Sequence, residues 1–227
     1  AQSQSTPWKH APGMDGATSN ASSYSVQVGD VFVLKGGSTW TTSSTINDMW
    51  TLPQSGITIQ GGQRLGTPWG SGYPILDGTG STNTRAGIYS SGKNSITIDG
   101  IKFFGQCYTT DGSGGGVRGF SDTGNWEVRY CYFDGCGVGA IDYSPVSGAN
   151  LLIHHNTITN CGRVYIPFDV GVTFDNVQIY ANNFMGPGTW PAHSYHADGI
   201  IIGSASNVDP STFTNLLIFD NFFSGDW

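Results

Sequence analysis

The sequence predicts an all-β fold: a right-handed parallel β-helix solenoid of about seven to eight coils with an irregular N-terminal cap. Two observations predict it. One short motif recurs five times without internal gaps, and equivalent residues of the copies form columns of matching character. The composition agrees, because 34 glycines and only 11% charged residues suit many short strands better than long amphipathic helices.

The five copies of the motif share a central aliphatic residue. They begin at Ser95, Asn125, Asn150, Asn176 and Asn215, and a weaker copy begins at Gly56. The aliphatic column is Ile59, Ile98, Val128, Ile153, Ile179 and Ile218, with separations of 39, 30, 25, 26 and 39 residues. A rung of about 25 residues with insertions of varying length is typical of a three-sheet parallel β-helix, because insertions map to outer loops.

Two more columns support this stacking. An inward column of large apolar residues comprises Phe103, Phe133, Ile158, Phe184 and Phe223. A turn column comprises Asn156, Asn182 and Asn221, whose amides we expect to hydrogen-bond along the axis. A short second strand is predicted before each motif, at Gly87-Ile-Tyr, Gly116-Val-Arg, Ala140-Ile-Asp, Asp169-Val-Gly-Val and Gly199-Ile-Ile-Ile.

The chain divides into two parts. Residues 1–25 are predicted to form an N-terminal arm or cap, and residues 26–227 the β-helix. Trp227 directly follows the last motif, so the C-terminal end is expected to be uncapped. Because a bare strand edge is a template for pairing, either the chain is a fragment or a second copy stacks on this end.

Charge and composition narrow the choice of partners and compartment. The net charge is −7 and no basic stripe is present, which argues against nucleic acid as a partner. A polysaccharide that is neutral, or held through only a few charges, fits better. No apolar run is long enough for a membrane span. An N-terminus that resembles a cleaved one, together with four cysteines in a lysine-poor chain, predicts a secreted protein.

The cysteines occupy the repeats. Cys136 and Cys161 share a column on consecutive rungs, so a disulfide between them is expected. Cys107 and Cys131 are a second pair or free thiols.

One outward row of polar side chains is the first candidate site. Since side chains alternate along a strand, Asp99, Arg129, His154, Tyr180 and Phe219 should point outward beside the aliphatic column. Arg129 would neutralise charge, and His154 or Tyr180 would act as general acid or base. Glu127 and Gln178, in the neighbouring column, would bind substrate. The alternative is an ordinary polar surface in which Arg129 pairs with Glu127 or Asp99.

A second candidate site follows the long insertion before residue 199. His196 and Asp198 are titratable, and Trp190 and Tyr195 are of the type that stacks on sugar rings. Asp142, Asp169 and Asp198 would lie on adjacent rungs as a hydrolytic acid–base pair or as Ca²⁺ ligands. Alternatively, Asp198 caps a turn. No organic cofactor is expected.

Three sequence features resemble the pectate-lyase-like superfamily of right-handed β-helices. They are the Asn-x-x-Ile-x-x-Asn-x-Phe/Ile repeat, Gly-Asp-Val-Phe-Val-Leu-Lys-Gly-Gly, and His-Ala-Asp-Gly-Ile, and the likeness covers residues 26–227. It implies a glycan lying in a groove along one parallel sheet. The Gly-His-Gly and Arg-Ile-Lys signatures of polygalacturonases and the Arg-x-Pro-x-x-Arg segment of pectate lyases are absent, so the resemblance supplies no catalytic set.

The functional prediction is a carbohydrate-active enzyme, either a polysaccharide lyase or a glycoside hydrolase. The alternative is a structural or adhesive protein whose β-helices stack head to tail into filaments. A glycan-binding module without turnover is a third candidate.

Overall fold

A computed structural model of the chain describes residues 5, 7–42, 48–80, 86–106, 115–137, 139–168, 172–186, 199–204 and 212–225. These residues form one short helix, α1 (Asn20–Ser23), a 3₁₀ turn at Gly62–Arg64, and strands in two sheets. The strands are β1 (Val31–Leu34), β2 (Thr39–Thr41), β3 (Asp48–Thr51), β4 (Thr58–Gly61), β5 (Ile75–Asp77), β6 (Ala86–Tyr89), β7 (Ile96–Asp99), β8 (Lys102–Phe104), β9 (Gly115–Arg129), β10 (Tyr132–Asp134), β11 (Gly139–His154), β12 (Thr157–Thr159), β13 (Val164–Phe168), β14 (Thr173–Tyr180), β15 (Asn183–Met185), β16 (Ile200–Ser204), β17 (Thr212–Phe219) and β18 (Phe222–Ser224).

The two sheets consist of parallel strands, and each strand pairs with its counterpart from another repeat. The larger sheet has eleven described strands, with the main order β1-β4-β7-β9-β11-β13-β16. The smaller sheet has seven, in the order β18-β15-β12-β10-β8-β5-β2. The chain is therefore all-β with parallel pairing, as the repeat predicts.

The predicted columns are in register. The aliphatic column pairs residue by residue from Ile59 to Ile218. The inward column does the same from Phe103 to Phe223 in the smaller sheet. The rings of Phe103 and Phe133 lie parallel with their centroids 4.9 Å apart. These stacked apolar side chains form the buried core between the sheets, except Ile218 and Phe223 of the last repeat, which are exposed.

The second strands differ from the prediction at two points. In β9 and β11 the predicted second strand and the motif are one long strand, interrupted by register shifts near Pro145. In the next repeat, β13 pairs with β11 and β16, and Asp142 lies opposite Tyr165. Strand β13 was therefore not predicted, and residues 169–171 of the strand predicted at 169–172 lie outside the described residues. Val164 and Ile166 explain the difference, since their alternating apolar side chains are fully buried in the core.

The asparagine column forms the predicted hydrogen-bonded ladder. Asn156 Nδ2 donates to Asn182 Oδ1, and Asn182 Nδ2 donates to Asn221 Oδ1, each at 3.0 Å. Each acceptor oxygen also receives the backbone N–H of the preceding asparagine. Asn182 Nδ2 further donates to the carbonyl of Ile153 at 2.9 Å. A buried amide thereby satisfies backbone groups that the turn leaves unpaired.

Cys136 and Cys161 are free thiols, so the expected disulfide between them is absent. The backbone N–H of Cys136 donates to Cys161 Sγ at 3.2 Å, and Cys136 Sγ donates to Gln106 Oε1 at 3.2 Å. In a parallel register, stacked side chains point the same way, whereas a disulfide needs Cβ atoms that face each other. Cys131 is also free, and Cys107 lies outside the described residues.

The N-terminal segment packs against the first strands of the larger sheet. Met14 forms an antiparallel bridge with Trp50, and Trp50 Nε1 donates to the carbonyl of Pro12 at 2.9 Å. Ala11 and Ala21 are buried beneath this segment. At the opposite end of the sheets, large apolar side chains of β17 and β18 are exposed, among them Leu217, Phe222 and Phe223.

Replacement of the central ladder amide should destabilise the protein. Asn182→Ala removes four hydrogen bonds and leaves buried backbone groups unpaired, so we expect a loss of about 3 kcal/mol in the free energy of unfolding. Urea denaturation measures it. Asn94→Ala is the control, since its amide makes one exposed hydrogen bond to Thr123, and equal losses in both variants would contradict the role of the ladder.

The buried thiols should be inert in the native protein. Burial raises the pKa of Cys131 to about 12 and that of Cys161 well above its usual range, so almost no thiolate exists at pH 8. We expect peptide mass spectrometry to find Cys131, Cys136 and Cys161 unmodified after native treatment with iodoacetamide. In denaturant without reductant, all three should be alkylated. A peptide cross-linked through Cys136 and Cys161 would contradict the structure.

Candidate functional site

The predicted outward row lies at the carboxyl ends of five parallel strands. Its members are the last residues of β7, β9, β11, β14 and β17, and they pair in sequence across the larger sheet. They are Asp99, Arg129, His154, Tyr180 and Phe219. Parallel pairing in register therefore concentrates chemically different side chains along one line at the rim of the sheet.

Charged groups form a continuous chain across the first part of this row. Arg64 Nε lies 3.0 Å from Asp99 Oδ1, and Arg129 Nε lies 3.2 Å from Asp99 Oδ2. Arg129 Nη1 then contacts Glu127 Oε1 at 2.9 Å. Asp99 is buried between the two guanidinium groups, with its side chain only 4% exposed. Pairing of Arg129 with both carboxylates agrees with the ion-pair interpretation of this residue.

Two histidines continue the chain from Glu127. His154 Nε2 lies 3.0 Å from Glu127 Oε1, and His154 Nδ1 lies 2.8 Å from His155 Nδ1. His154 is buried, whereas His155 is exposed. Because a ring nitrogen that approaches a carboxylate donates its proton, His154 Nδ1 is then the acceptor for the His155 N–H. In the neutral form of His155 with its proton on Nδ1, the remaining ring nitrogen, Nε2, carries no proton.

His155 is the member of this contact chain that sequence reasoning missed. Its φ of 56° places it in the left-handed region, as does Tyr130 at 51° in the preceding repeat. At such a residue the strand alternation stops, so His155 lies on the same side as His154 instead of the opposite side. The usable signal in the sequence was the adjacent histidine pair immediately before the turn residue Asn156.

Aromatic rings fix the orientation of the two imidazoles. The Tyr180 ring lies parallel to the His154 ring at a centroid distance of 4.7 Å, and Phe219 stacks on the other side of Tyr180 at 5.0 Å. The Tyr130 ring packs against His155 at 4.9 Å. Arg64 lies over the Tyr130 ring, 3.8 Å from its centroid. Tyr180 thus contacts the site as a packing surface for His154.

Glycine at position 100 makes room for Arg64. Gly100 has a φ of 73°, and it occupies the turn position that Tyr130 and His155 take in later repeats. A Cβ at this position would lie 2.5 Å from Arg64 Cγ. The absence of a side chain therefore lets Arg64, which comes from the turn after β4, reach Asp99.

The electrostatic environment favours a neutral His154 and a charged Arg129. Burial lowers the pKa of His154 below its usual range, and the hydrogen bond to Glu127 opposes this only in part. Partial burial also disfavours the charge on Arg129. Asp99 and then Glu127 outweigh that effect, so the pKa of the guanidinium is raised.

Gln178, the other predicted substrate-binding residue, lies outside this contact chain. Its Nε2 donates to Asn176 Oδ1 on the same strand at 2.7 Å. Trp190, Tyr195, His196 and Asp198 lie outside the described residues, as does Asp169. Their predicted roles stay predictions.

Asp142, the described member of the predicted calcium set, is buried and lies opposite Arg118 and Tyr165 in the larger sheet. Its Oδ2 is 3.6 Å from Arg118 Nε. Burial raises the pKa of Asp142, while Arg118 and Arg163 lower it. A carboxylate beside two guanidinium groups is a poor ligand for a cation. Among the described residues, no three His, Cys, Asp or Glu side chains are grouped so that they could hold a metal ion.

Comparison of the chain with protein-family models, with curated proteins and with solved structures found no match in any of the three. The chemistry of the site is therefore inferred from its geometry.

The described part of the chain contains no helix with the length and apolar character needed to cross a membrane.

The stability of the protein should fall on mild acidification because of His154. Its folded-state pKa lies below the unfolded value of about 6.5, so the unfolded chain binds more protons as the pH falls. The stabilising contribution is complete above about pH 6.5 and is lost as the pH falls below it. Urea denaturation at pH 7.5 and pH 5.5 should show a smaller decrease for His154→Gln than for the wild type. Gln178→Ala should keep the wild-type decrease, and an unchanged decrease in His154→Gln would contradict the assignment.

Proposed function

We propose that the chain is a secreted right-handed parallel β-helix and that it acts as a polysaccharide lyase on an extracellular glycan. In-register parallel columns and repeats of about 25 residues support the fold. A chain with 11% charged residues and no basic stripe supports an extended carbohydrate that the protein holds through only a few charges. The chemistry depends on one arrangement at the rim of the larger sheet.

The observation that carries the proposal is the hydrogen-bonded series Glu127–His154–His155. Glu127 holds the proton of His154 on Nε2, and His154 accepts the Nδ1 proton of His155. The exposed Nε2 of His155 is then free to remove a proton. The positive charge that develops on His155 is stabilised through His154 by the carboxylate of Glu127, much as a carboxylate supports histidine in other catalytic series.

The reaction that fits such a base is β-elimination in a uronic-acid polymer. His155 Nε2 takes the proton from the carbon that bears the carboxylate. The electron pair of that C–H bond forms a carbon–carbon double bond, and the bond to the glycosidic oxygen breaks. The leaving oxygen takes a proton from solvent.

Arg64 is placed to neutralise the substrate carboxylate in this reaction. Its Nε is occupied by Asp99, but its two terminal nitrogens have no hydrogen-bond partner among the described residues. The side chain is 36% exposed and lies on the ring of Tyr130, which in turn contacts His155. A guanidinium binds a carboxylate in a bidentate manner, and this lowers the cost of removing the adjacent proton.

Hydrolysis is less well supported at this site than elimination. A glycoside hydrolase needs one carboxylic acid to protonate the leaving group and a second carboxylate as base or nucleophile. Asp99 is buried between two arginines, and Glu127 is bound by Arg129 and His154. Asp99 is therefore withheld from a substrate, so the site does not offer the pair of carboxylates that hydrolysis needs.

The loss of His155 should abolish elimination while leaving the protein folded. His155→Asn suits the test, because asparagine tolerates the left-handed backbone. On polygalacturonate, alginate or another uronic-acid polymer that the wild type cleaves, we expect kcat to fall by about 10²–10⁴-fold with little change in KM. The ultraviolet absorbance of the unsaturated product measures the rate.

Asp220→Asn is the matched control, since Asp220 occupies the equivalent left-handed turn position (φ 53°) two repeats later and should leave kcat unchanged. Glu127→Gln should reduce kcat and shift the acid limb of the pH–rate profile. The absence of unsaturated product from a broad panel of uronic-acid polymers would contradict the proposal. Filaments in electron micrographs, together with that absence, would favour the end-to-end stacking that exposed apolar residues on β17 and β18 also allow.

A further inference from the structure

A cavity lies at the opposite end of the sheets from β17 and β18. It measures about 1190 Å³ and is bounded by strands β1 and β2, by residues 7–11 and by residues 20–25. β1 begins the larger sheet and β2 ends the smaller one, so both present an edge. The N-terminal segment covers Trp50 on β3 and leaves an open space beside β1 and β2.

Five Trp, Tyr or Phe residues line this cavity. They are Trp8, Tyr24, Phe32, Trp40 and Trp69. Contacts among the lining residues hold three of them: the Trp8 and Tyr24 rings pack at a centroid distance of 5.3 Å, and Trp40 Nε1 donates to the carbonyl of Lys9 at 2.7 Å. Aromatic faces fixed in this way offer flat surfaces on which a ring-shaped ligand can stack.

The charge of the cavity is opposite to that of the whole protein. The net charge of the chain is −7, yet Lys9 and Lys35, two of its nine basic residues, both line the cavity. Neither lysine makes an ion pair with any described residue. Asp30 is the one carboxylate among the lining residues, and its Oδ2 already accepts hydrogen bonds from the Tyr24 hydroxyl and the Gln27 N–H.

Two lysines without an ion-pair partner among the described residues line the same cavity as these aromatic residues, and this combination defines the ligand chemistry. The ammonium groups attract an anion, and the apolar faces bind the body of a ring. A ligand that satisfies both features carries a carboxylate on a ring.

We propose that this cavity binds a ring-bearing organic carboxylate, with the ring against the tryptophans and the carboxylate at Lys9 and Lys35. Two sources have this chemistry: an acidic sugar and an aromatic acid. The site is separate from the Glu127–His154–His155 series, because the two sites share no residue. It therefore does not depend on the proposed lyase activity.

Binding is tested with digalacturonate for the acidic sugar and 4-hydroxybenzoate for the aromatic acid. The His155→Asn variant serves as the background, so that no sugar is consumed. Isothermal titration calorimetry, together with tryptophan fluorescence, should detect binding of at least one probe. The affinity should weaken as salt is added. The probe that binds identifies the source.

Two comparisons isolate the charge. The double substitution Lys9→Gln and Lys35→Gln should weaken binding about tenfold, since each exposed pair contributes modestly. Lys93→Gln, outside the cavity, should not change it. The dimethyl ester of digalacturonate, which lacks the charge, should bind about tenfold more weakly than the acid when the acid is the ligand.

Because three tryptophans line the cavity, tryptophan fluorescence is an independent measure of binding. Trp69→Ala should reduce both the affinity and the fluorescence change, while circular dichroism confirms that the strands are intact. The proposal is overturned when neither acid binds, or when the double lysine variant binds as tightly as its background. Because elimination by the wild type is measured separately, failure of this site and failure of the proposed function are distinguishable.

Discussion

Parallel stacking in strict register is the constraint on which the rest of this structure depends. When each strand pairs with its counterpart in another repeat, equivalent side chains form a column. All side chains of one column then face the same environment, either the core or the surface. Apolar columns then form a core with few charged residues, and the polar columns are lined up at the rim. The same constraint explains the free thiols, because stacked side chains in one column run alongside each other and do not converge.

The candidate site also follows from this register. Charge alternates along the contact chain from Arg64 through Asp99 and Arg129 to Glu127, so each charged group is neutralised by a neighbour. The two pairs that involve Asp99 join different repeats. Burial of such groups is tolerable only when they are paired and hydrogen-bonded. His154 follows Glu127 in this contact chain. Its imidazole is buried and stacks on Tyr180, and burial favours the neutral ring.

Sequence patterns predicted the columns well, because they depend on residue type and spacing alone. The aliphatic and aromatic columns, the asparagine ladder and the outward row from Asp99 to Phe219 all appear at the predicted positions. Prediction failed where the backbone departs from the strand period. Strand β13 was missed because two apolar alternations compete in residues 164–172, and His155 was missed because its left-handed conformation reverses the side to which it belongs. The ion pair between Arg64 and Asp99 was also missed. Arg64 lies in the turn after β4, and the spacing of the repeats does not predict the conformation of that turn.

The left-handed residue directly after five of these strands is a position at which the side chain can vary. Gly100, Tyr130, His155, Ala181 and Asp220 share this turn column. Their side chains differ widely: glycine has none, and His155 carries an imidazole. The residue type in the neighbouring apolar columns stays nearly constant. A mutation in this column alters the surface at the rim without creating a cavity in the core. New chemistry can therefore be sampled, in evolution or in design, one repeat at a time on an unchanged framework.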